Sequence, residues 1–377
     1  MTEPVDILIV GAGPVGMTLA LALAAGPHTV RLLERRPLSA QAGDPRALAL
    51  SHGARQLLEP LGAWPARAAT PIETIHVSQR GGFGRTVMNG ADYALPALGY
   101  VLRYRDLASA LSARLPVGSV MEEASILDIR PAADGVAVTL RQAGETRTIV
   151  AKVLVHAEGT PGDEAGVSVS DYRQHAVVAE VTPRPGHGRR AWERFTPDGP
   201  LALLPLGDEY SVVFTLPPEK ADRIMALDDA GFIAALQDQF GPRIAFSSPG
   251  PRSRFPLALR LRDKVADGRQ VWIGNTAQTL HPVSGQGFNL GLRDARELAT
   301  ALLDQGPDPA TLAAHARKRQ FDRRGGAFFT DGIVRAFPND FPPLRLARGL
   351  GLLALDLCPP ARHFVAKRMI WGARAWP

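Results

Sequence analysis

Short apolar runs separated by polar and glycine-rich gaps set the outline of this chain. Asp6 to Val10 is a mostly apolar run of the kind buried in a parallel sheet, and Thr29 to Leu33 is a second. Between them the Ala/Leu-rich segment Met17 to Ala25 reads as a helix that stops at Gly26-Pro27. Asp44 to Gly62 reads as a loop and then a helix, with Ser51 as the N-cap and Gly62 as the stop. Ile72 to Met88 reads as two strands around Gly81-Gly82, and Leu98 to Leu102 as another strand. A helix over Asp106 to Leu115 carries Leu107, Leu111 and Leu115 on one face. Ser125–Pro131, Gly135–Leu140 and Thr146–Val150 form a three-stranded meander. Lys152 to Val155 then returns as a separate buried strand, ending at His156-Ala157-Glu158-Gly159.

Beyond Gly159 proline, glycine and charged residues bracket the strand-like stretches Gln174–Val181, Leu201–Pro205 and Tyr210–Leu216, which point to a separate antiparallel sheet. A helix follows over Asp229 to Phe240. The pattern of the first part resumes with the strand Val271–Ile273 and an apolar periodic helix, Phe288 to Leu302. The fold class expected is therefore α/β: a discontinuous Rossmann-like nucleotide domain over 1–72, 98–165 and 266–320, an inserted antiparallel-sheet domain over 73–97 and 166–265 for the substrate, and a C-terminal helical segment over 321–377. Ligand pockets favour such domain junctions.

The chain has 377 residues, 45% of them hydrophobic and 21% charged, an ordinary balance for a globular protein of two to three domains. Its net charge of +6 admits nucleic acid, an anionic membrane surface or a phosphate-bearing cofactor. The arginines are scattered and no nucleic-acid-binding signature is present, so a nucleic-acid partner is not expected. The one cysteine, Cys358, excludes an internal disulfide, suits a reducing cytoplasm and reads as a buried small residue. No signal peptide or apolar run of about eighteen residues is read, so a cytoplasmic location is expected.

Two glycine-rich turns carry the candidate chemistry. Gly11-Ala12-Gly13-Pro14-Val15-Gly16 lies between the first strand and helix, and the second strand ends on Glu34. Gly11 makes the tight turn, Gly13 admits a pyrophosphate to the backbone, and Gly16 lets helix and strand pack closely. Glu34 would accept hydrogen bonds from ribose hydroxyls. The fingerprint leaves NAD and FAD equally open. Arg46 sits in a loop where its guanidinium could reach a diphosphate, although taken by itself a loop arginine more often ends in a surface salt bridge. The second turn, Gly285-Gln286-Gly287, runs straight into the helix at Phe288, leaving unpaired N–H groups and a partial positive charge beside any electron-rich ligand.

Gly11–Glu34, the strand ending at Glu158-Gly159, and GNTAQTLHPVSGQGFNLGLRD (274–294) together resemble the single-component flavoprotein aromatic hydroxylases, the para-hydroxybenzoate hydroxylase fold. Within that family the last stretch and DPRALALSHGARQLLEPLG are most similar to the UbiH-like polyprenyl-methoxyphenol hydroxylases of ubiquinone biosynthesis. HVSQRGGFGR, AWERFTPDGPLALLPLG and RLARGLGLLALDL are similar too, so the resemblance covers nearly the whole chain. It implies an FAD-dependent, NAD(P)H- and O2-consuming monooxygenase that hydroxylates a polyprenylated methoxyphenol through a flavin C4a-hydroperoxide. The FAD residues it implies are Gly11, Gly13, Gly16, Glu34, Arg35, Arg46, Arg105, Glu158, Gly274, Asn275, Pro282, Gly285, Gln286, Gly287, Phe288 and Asn289. Catalytic roles fall to His281, Pro282 and Gln286, where the segment would line the oxygen-reacting face and keep water off. No metal is expected, because the cofactor carries the chemistry.

Two residues depart from the family pattern. Glu158 stands where the family has Asp, with a shortened loop after it, which bears on nicotinamide docking; Asn275 replaces an Asp, and its amide can still bond a ribityl hydroxyl. Trp192 and Phe195 read as core residues that could also wall the substrate pocket. Over 344–376, Arg345, Arg348, Arg362, Lys367, Arg368 and Arg374 flank a leucine-rich amphipathic pattern. Such a segment packs on the protein's own core or lies on an anionic membrane, and a polyprenylated substrate makes peripheral contact with the inner membrane face, or with a ubiquinone-biosynthesis complex, an expectation. Two other readings stand beside this one: a flavin hydroxylase of a soluble aromatic, and a non-catalytic flavoprotein subunit.

Overall fold

The computed structural model describes residues 4–336 and 342–372. Its first sheet has eight strands. The apolar runs Pro4–Val10 and Val30–Leu33 lie parallel at its centre, flanked by Glu145–His156 and Gln270–Trp272 on one side and Val120–Met121 on the other. Helix α1 (Pro14–Leu23) is apolar on nearly every side and correspondingly buried. Helices α2 (His52–Leu58) and α3 (Tyr104–Ser112) cover the same core, with Leu107 and Leu111 inaccessible to solvent. Ser51 caps α2 by accepting the Ala54 N–H, as its position at the start of the helix demands.

The second sheet has nine strands and is antiparallel apart from the parallel pair Thr74–Gln79 and Arg190–Phe195. Its long central strand, Val167–Arg184, pairs with Glu209–Leu216 and with Ser253–Arg262. Helices α4 (Pro218–Ala226) and α5 (Asp229–Phe240) close one face over Trp192, Leu203, Val212 and Phe214. Successive strand residues point to opposite faces, so Ala191, Glu193 and Phe195 turn to the other side, toward the first sheet's domain.

The chain then forms α6 (Gln286–Gln305), α7 (Pro309–Ala336), α8 (Pro342–Leu357) and α9 (Pro359–Trp371). Helices α1 and α6 cross where Gly291 meets Val15; a Cβ there would lie 2.9 Å from the valine methyl. Among the described residues no helix is long and apolar enough to cross a membrane.

Several expectations change. Thr146–Val150 and Lys152–Val155 are one strand, whose first half pairs with the Gly135–Gln142 hairpin arm and whose second half joins the parallel sheet. Ala47–Ser51 is a strand, not a loop: paired with Gly99–Arg103, it overrides the weak strand preference of alanine. Helix α4 and strand Ser253–Arg262 were not anticipated. Cys358 is exposed, at the joint between α8 and α9.

Candidate functional site

The Gly11–Gly16 turn behaves as three glycines with three tasks. Gly11 has φ +98°, and a Cβ on it would fall 2.5 Å from the Ala157 carbonyl oxygen, while one on Gly16 would overlap the Gly11 carbonyl. Both are required by the protein's own packing. Gly13 is different: a Cβ there would meet only the Tyr104 hydroxyl, at 3.6 Å, so its open side faces a cavity of about 620 Å³. Glu34 closes the turn, accepting the Ala12 and Arg36 N–H groups at 3.0 Å each.

Gly11, Gly13, Glu34, Arg35, Arg46, Glu158, Asn275, Gly287 and Phe288 all border this one cavity. Arg46 is held by a 2.6 Å ion pair with Asp44 and lies over the Tyr104 ring. Burial pushes the Asp44 carboxyl up, but the Arg46 bonds outweigh it and leave the carboxyl below its usual range. Gly16 and Gly274 lie behind the wall. Arg105 is not at the cavity: it is exposed and 4.0 Å from Asp106. Neighbouring helix residues point about 100° apart, and Tyr104 takes the inward position, its phenol pushed up to about 12 by burial.

At the far end, Glu158 Oε1 is 3.2 Å from His156 Nδ1, and the His156 ring stacks on Trp272. Asn275 Nδ2 donates to the Thr160 hydroxyl at 3.5 Å. Gly285 starts α6 in the left-handed region, φ +59°, with no side chain capping the first turn, so the leading N–H groups at Gly287 and Phe288 border the cavity uncapped. A cradle without a Cβ at Gly13, an arginine beside it, a carboxylate at the end of the second strand and an uncapped helix start match what a dinucleotide's diphosphate, ribose and ring edge need.

A second cavity, of about 320 Å³ and almost wholly apolar, borders the 282–285 loop. Val77, Trp192, Phe195, Leu204, Leu352 and Met369 are on its wall, with Pro282, Val283 and Gly285; the polar cavity meets the chain two residues further on, at Gly287 and Phe288. Trp192 and Phe195 therefore serve both core and wall. Gln286 spends its amide on the Met369 carbonyl (3.1 Å). Asn289 is occupied three times over, by Ser51 N–H and by the carbonyls of Ala49 and Gly285, so it staples the Ala47–Ser51 strand to α6 with both amide hydrogens committed. His281 borders neither cavity. It is 1% exposed, its Nδ1 accepts the Val283 N–H at 3.1 Å, and burial pushes its pKa down to about 4. The imidazole in that position shapes the 282–284 turn, and on neither cavity wall it is not placed to meet a ligand in them.

An ionic network missed in the sequence holds this apparatus. Asp294 accepts the Gly274 N–H and the Gln278 amide, and pairs with Arg319 at 2.7 Å; both side chains are 3% exposed. Arg319 also reaches Asp322, which pairs with Arg293. Burial would lower the Arg319 pKa, yet Asp294, Asp322 and Glu297 outweigh it and keep the guanidinium charged. Arg323 ties Gln278 and the Ala277 carbonyl to α7. Asp294 closes the motif stretch in the sequence, but its partners lie on another helix and no local spacing announces them.

The model of the FAD binding domain family matches residues 4–319. The ubiquinone hydroxylase UbiL of Rhodospirillum rubrum is 32% identical, over 99% of this chain and 91% of its own. The 3-demethoxyubiquinol 3-hydroxylase of Escherichia coli is 30% identical, over 94% and 95%. In fold, the chain is similar to p-nitrophenol 4-monooxygenase from Pseudomonas putida, with a TM-score of 0.81 at 17% identity over 99% and 100% of the two chains.

Proposed function

The chain belongs to the FAD binding domain family, among FAD-dependent monooxygenases that include the ubiquinone hydroxylases, and from that premise we propose that it hydroxylates a polyprenylated methoxyphenol in ubiquinone biosynthesis. The observation that carries this is the stretch 282–288, whose first residues, Pro282, Val283 and Gly285, border the apolar cavity and whose last, Gly287 and Phe288, border the polar one. FAD held there would supply the redox chemistry, with NAD(P)H as electron donor and O2 as the source of the ring oxygen, its second atom leaving as water. The chain's own residues bind and exclude. Gly13 leaves room for the diphosphate, Arg35 and Arg46 neutralise it, and Glu34 takes the adenosine ribose. The N–H groups at the start of α6 stabilise negative charge on the flavin ring by up to ~2 kcal/mol, Glu158 and Asn275 edge the same cavity, and Pro282 to Gly285 keep water from the oxygen-reacting face.

A membrane surface is the source of substrate in this reading. Leu346, Leu350, Leu353 and Leu357 recur at helical spacing on α8, and all four are exposed, as is Arg345 beside Leu346. Leu352 and Leu355 of the same helix face the apolar cavity, so one helix thickness separates a lipid-facing stripe from the substrate's place. Arg374 and Trp376 of the expected basic segment lie outside the described residues. Incubation of the FAD-loaded protein with NADPH, O2 and a geranylated 2-methoxyphenol should yield a product heavier by one oxygen atom. Recovery of unchanged phenol while NADPH is oxidised would count against hydroxylation.

A further inference from the structure

The apolar cavity holds one carboxyl. Glu193 lies in mid-sheet on Arg190–Phe195, in register with Val77 on one side and Ala202 on the other. Thr86 and Val213 extend the row, and all five border the cavity. Its Oε1 is shut off from solvent and has no hydrogen-bond partner; the Thr86 hydroxyl, one strand beyond Val77 and roughly 10 Å away along the sheet, is orphaned likewise. A buried polar atom left unpaired is costly; Glu193 as a whole is only partly buried and borders the cavity, so a hydroxyl brought there would complete its carboxyl.

We propose that Glu193 holds the phenolic hydroxyl of the substrate and so fixes which ring carbon faces the 282–285 loop. This rests on the phenol-hydroxylase reading above. Apart from Thr86 and Arg362 the rest of the wall is apolar, and it offers an aromatic ring contact but no direction. The other charged residue on the wall, Arg362, is engaged with Asp356 through its Nη1, and Arg194 on the opposite face of the strand donates to the Gln239 carbonyl. With no cation to stabilise its charge, burial alone pushes the Glu193 carboxyl up to about 8. It therefore stays neutral near pH 7, both donating to and accepting from a hydroxyl.

The test is calorimetric binding of a geranylated 2-methoxyphenol, and of the same compound lacking the hydroxyl, to the FAD-loaded protein. Wild type should prefer the phenol roughly tenfold. E193Q should keep that preference, and E193L should lose it while still taking up FAD. Binding of the corresponding dimethoxy ether, whose oxygens only accept, should weaken in wild type as pH rises through about 8 but not in E193Q. Full preference retained by E193L, or an ether affinity that ignores pH, overturns the role of Glu193 and leaves the enzyme reading intact. If wild type binds none of these compounds, the phenol-hydroxylase reading itself fails, and this proposal with it.

Discussion

Asp294 accepts the backbone N–H of Gly274 at 3.1 Å, fixing the turn before the Asn275 loop to the middle of α6. The same carboxylate faces the buried Arg319 guanidinium, so the edge of the polar cavity depends on an ion pair that neither solvent nor salt reaches. Removing one member of such a pair leaves an uncompensated charge. Asp294→Ala and Arg319→Met should each lower unfolding free energy by about 3–5 kcal/mol in denaturant titration, and Asp294→Ala should also weaken FAD binding. Loss of less than 1 kcal/mol from either would show the network to be dispensable.

Gly13 and Gly16 should part company. Gly16→Ala collides with the Gly11 carbonyl and is expected to impair folding, whereas Gly13→Ala meets only the Tyr104 hydroxyl at 3.6 Å. Gly13→Ala should therefore melt within a few degrees of wild type yet bind FAD at least tenfold more weakly, as read by flavin fluorescence. Unchanged affinity would place the diphosphate elsewhere.

Stability should peak near pH 6.5. Burial holds His76, His281 and His315 near 4 in the folded chain, below the ordinary 6.5, so the unfolded chain takes up protons first and stability falls as pH drops from 6.5 to 4. Glu193 works the other way. Held near 8 against an ordinary 4.5, it keeps its proton when folded, so its contribution is complete below 4.5 and is lost as pH rises toward 8. Melting temperatures between pH 4 and 9 check this, and E193Q should remove the decline between 6.5 and 8. A flat curve through that range would contradict a buried neutral carboxyl.

The leucine stripe of α8 gives a prediction for membranes. Wild type should cosediment with vesicles containing anionic lipid at low salt, and replacing Leu346, Leu350 and Leu357 by glutamate should abolish it without lowering turnover of a detergent-dispersed substrate. Equal sedimentation of wild type and variant would remove this surface from the account.

What the sequence disclosed follows from how local each signal is. Gly11, Gly13 and Glu34 act within one strand–turn–helix unit, and their spacing announced both the turn and the cavity they border. Asp229–Phe240 was legible to the residue because its capping Asp228, its apolar face and Gly241 all lie within one helix. Arg105 was misplaced by a single residue, since helical phase there is decided by packing against the first sheet's domain and not by the local pattern. Asn289 lies in the motif stretch, yet its bonds go to Ser51 and Ala49, which only the folded chain brings within reach, and the burial of His281 comes from packing that no local pattern encodes. Asp294 with Arg319, and Glu193 with its cavity, depend on contacts between distant elements. No periodicity encodes those.

Anaerobic titration of the FAD-loaded protein with NADPH, followed in the blue absorption band, tests the central claim most directly. Stoichiometric flavin, retained through purification or taken up on reconstitution, should bleach, and faster when a geranylated 2-methoxyphenol is present. A colourless protein that refuses flavin, or a bound flavin that NADPH and NADH both leave oxidised, would contradict it.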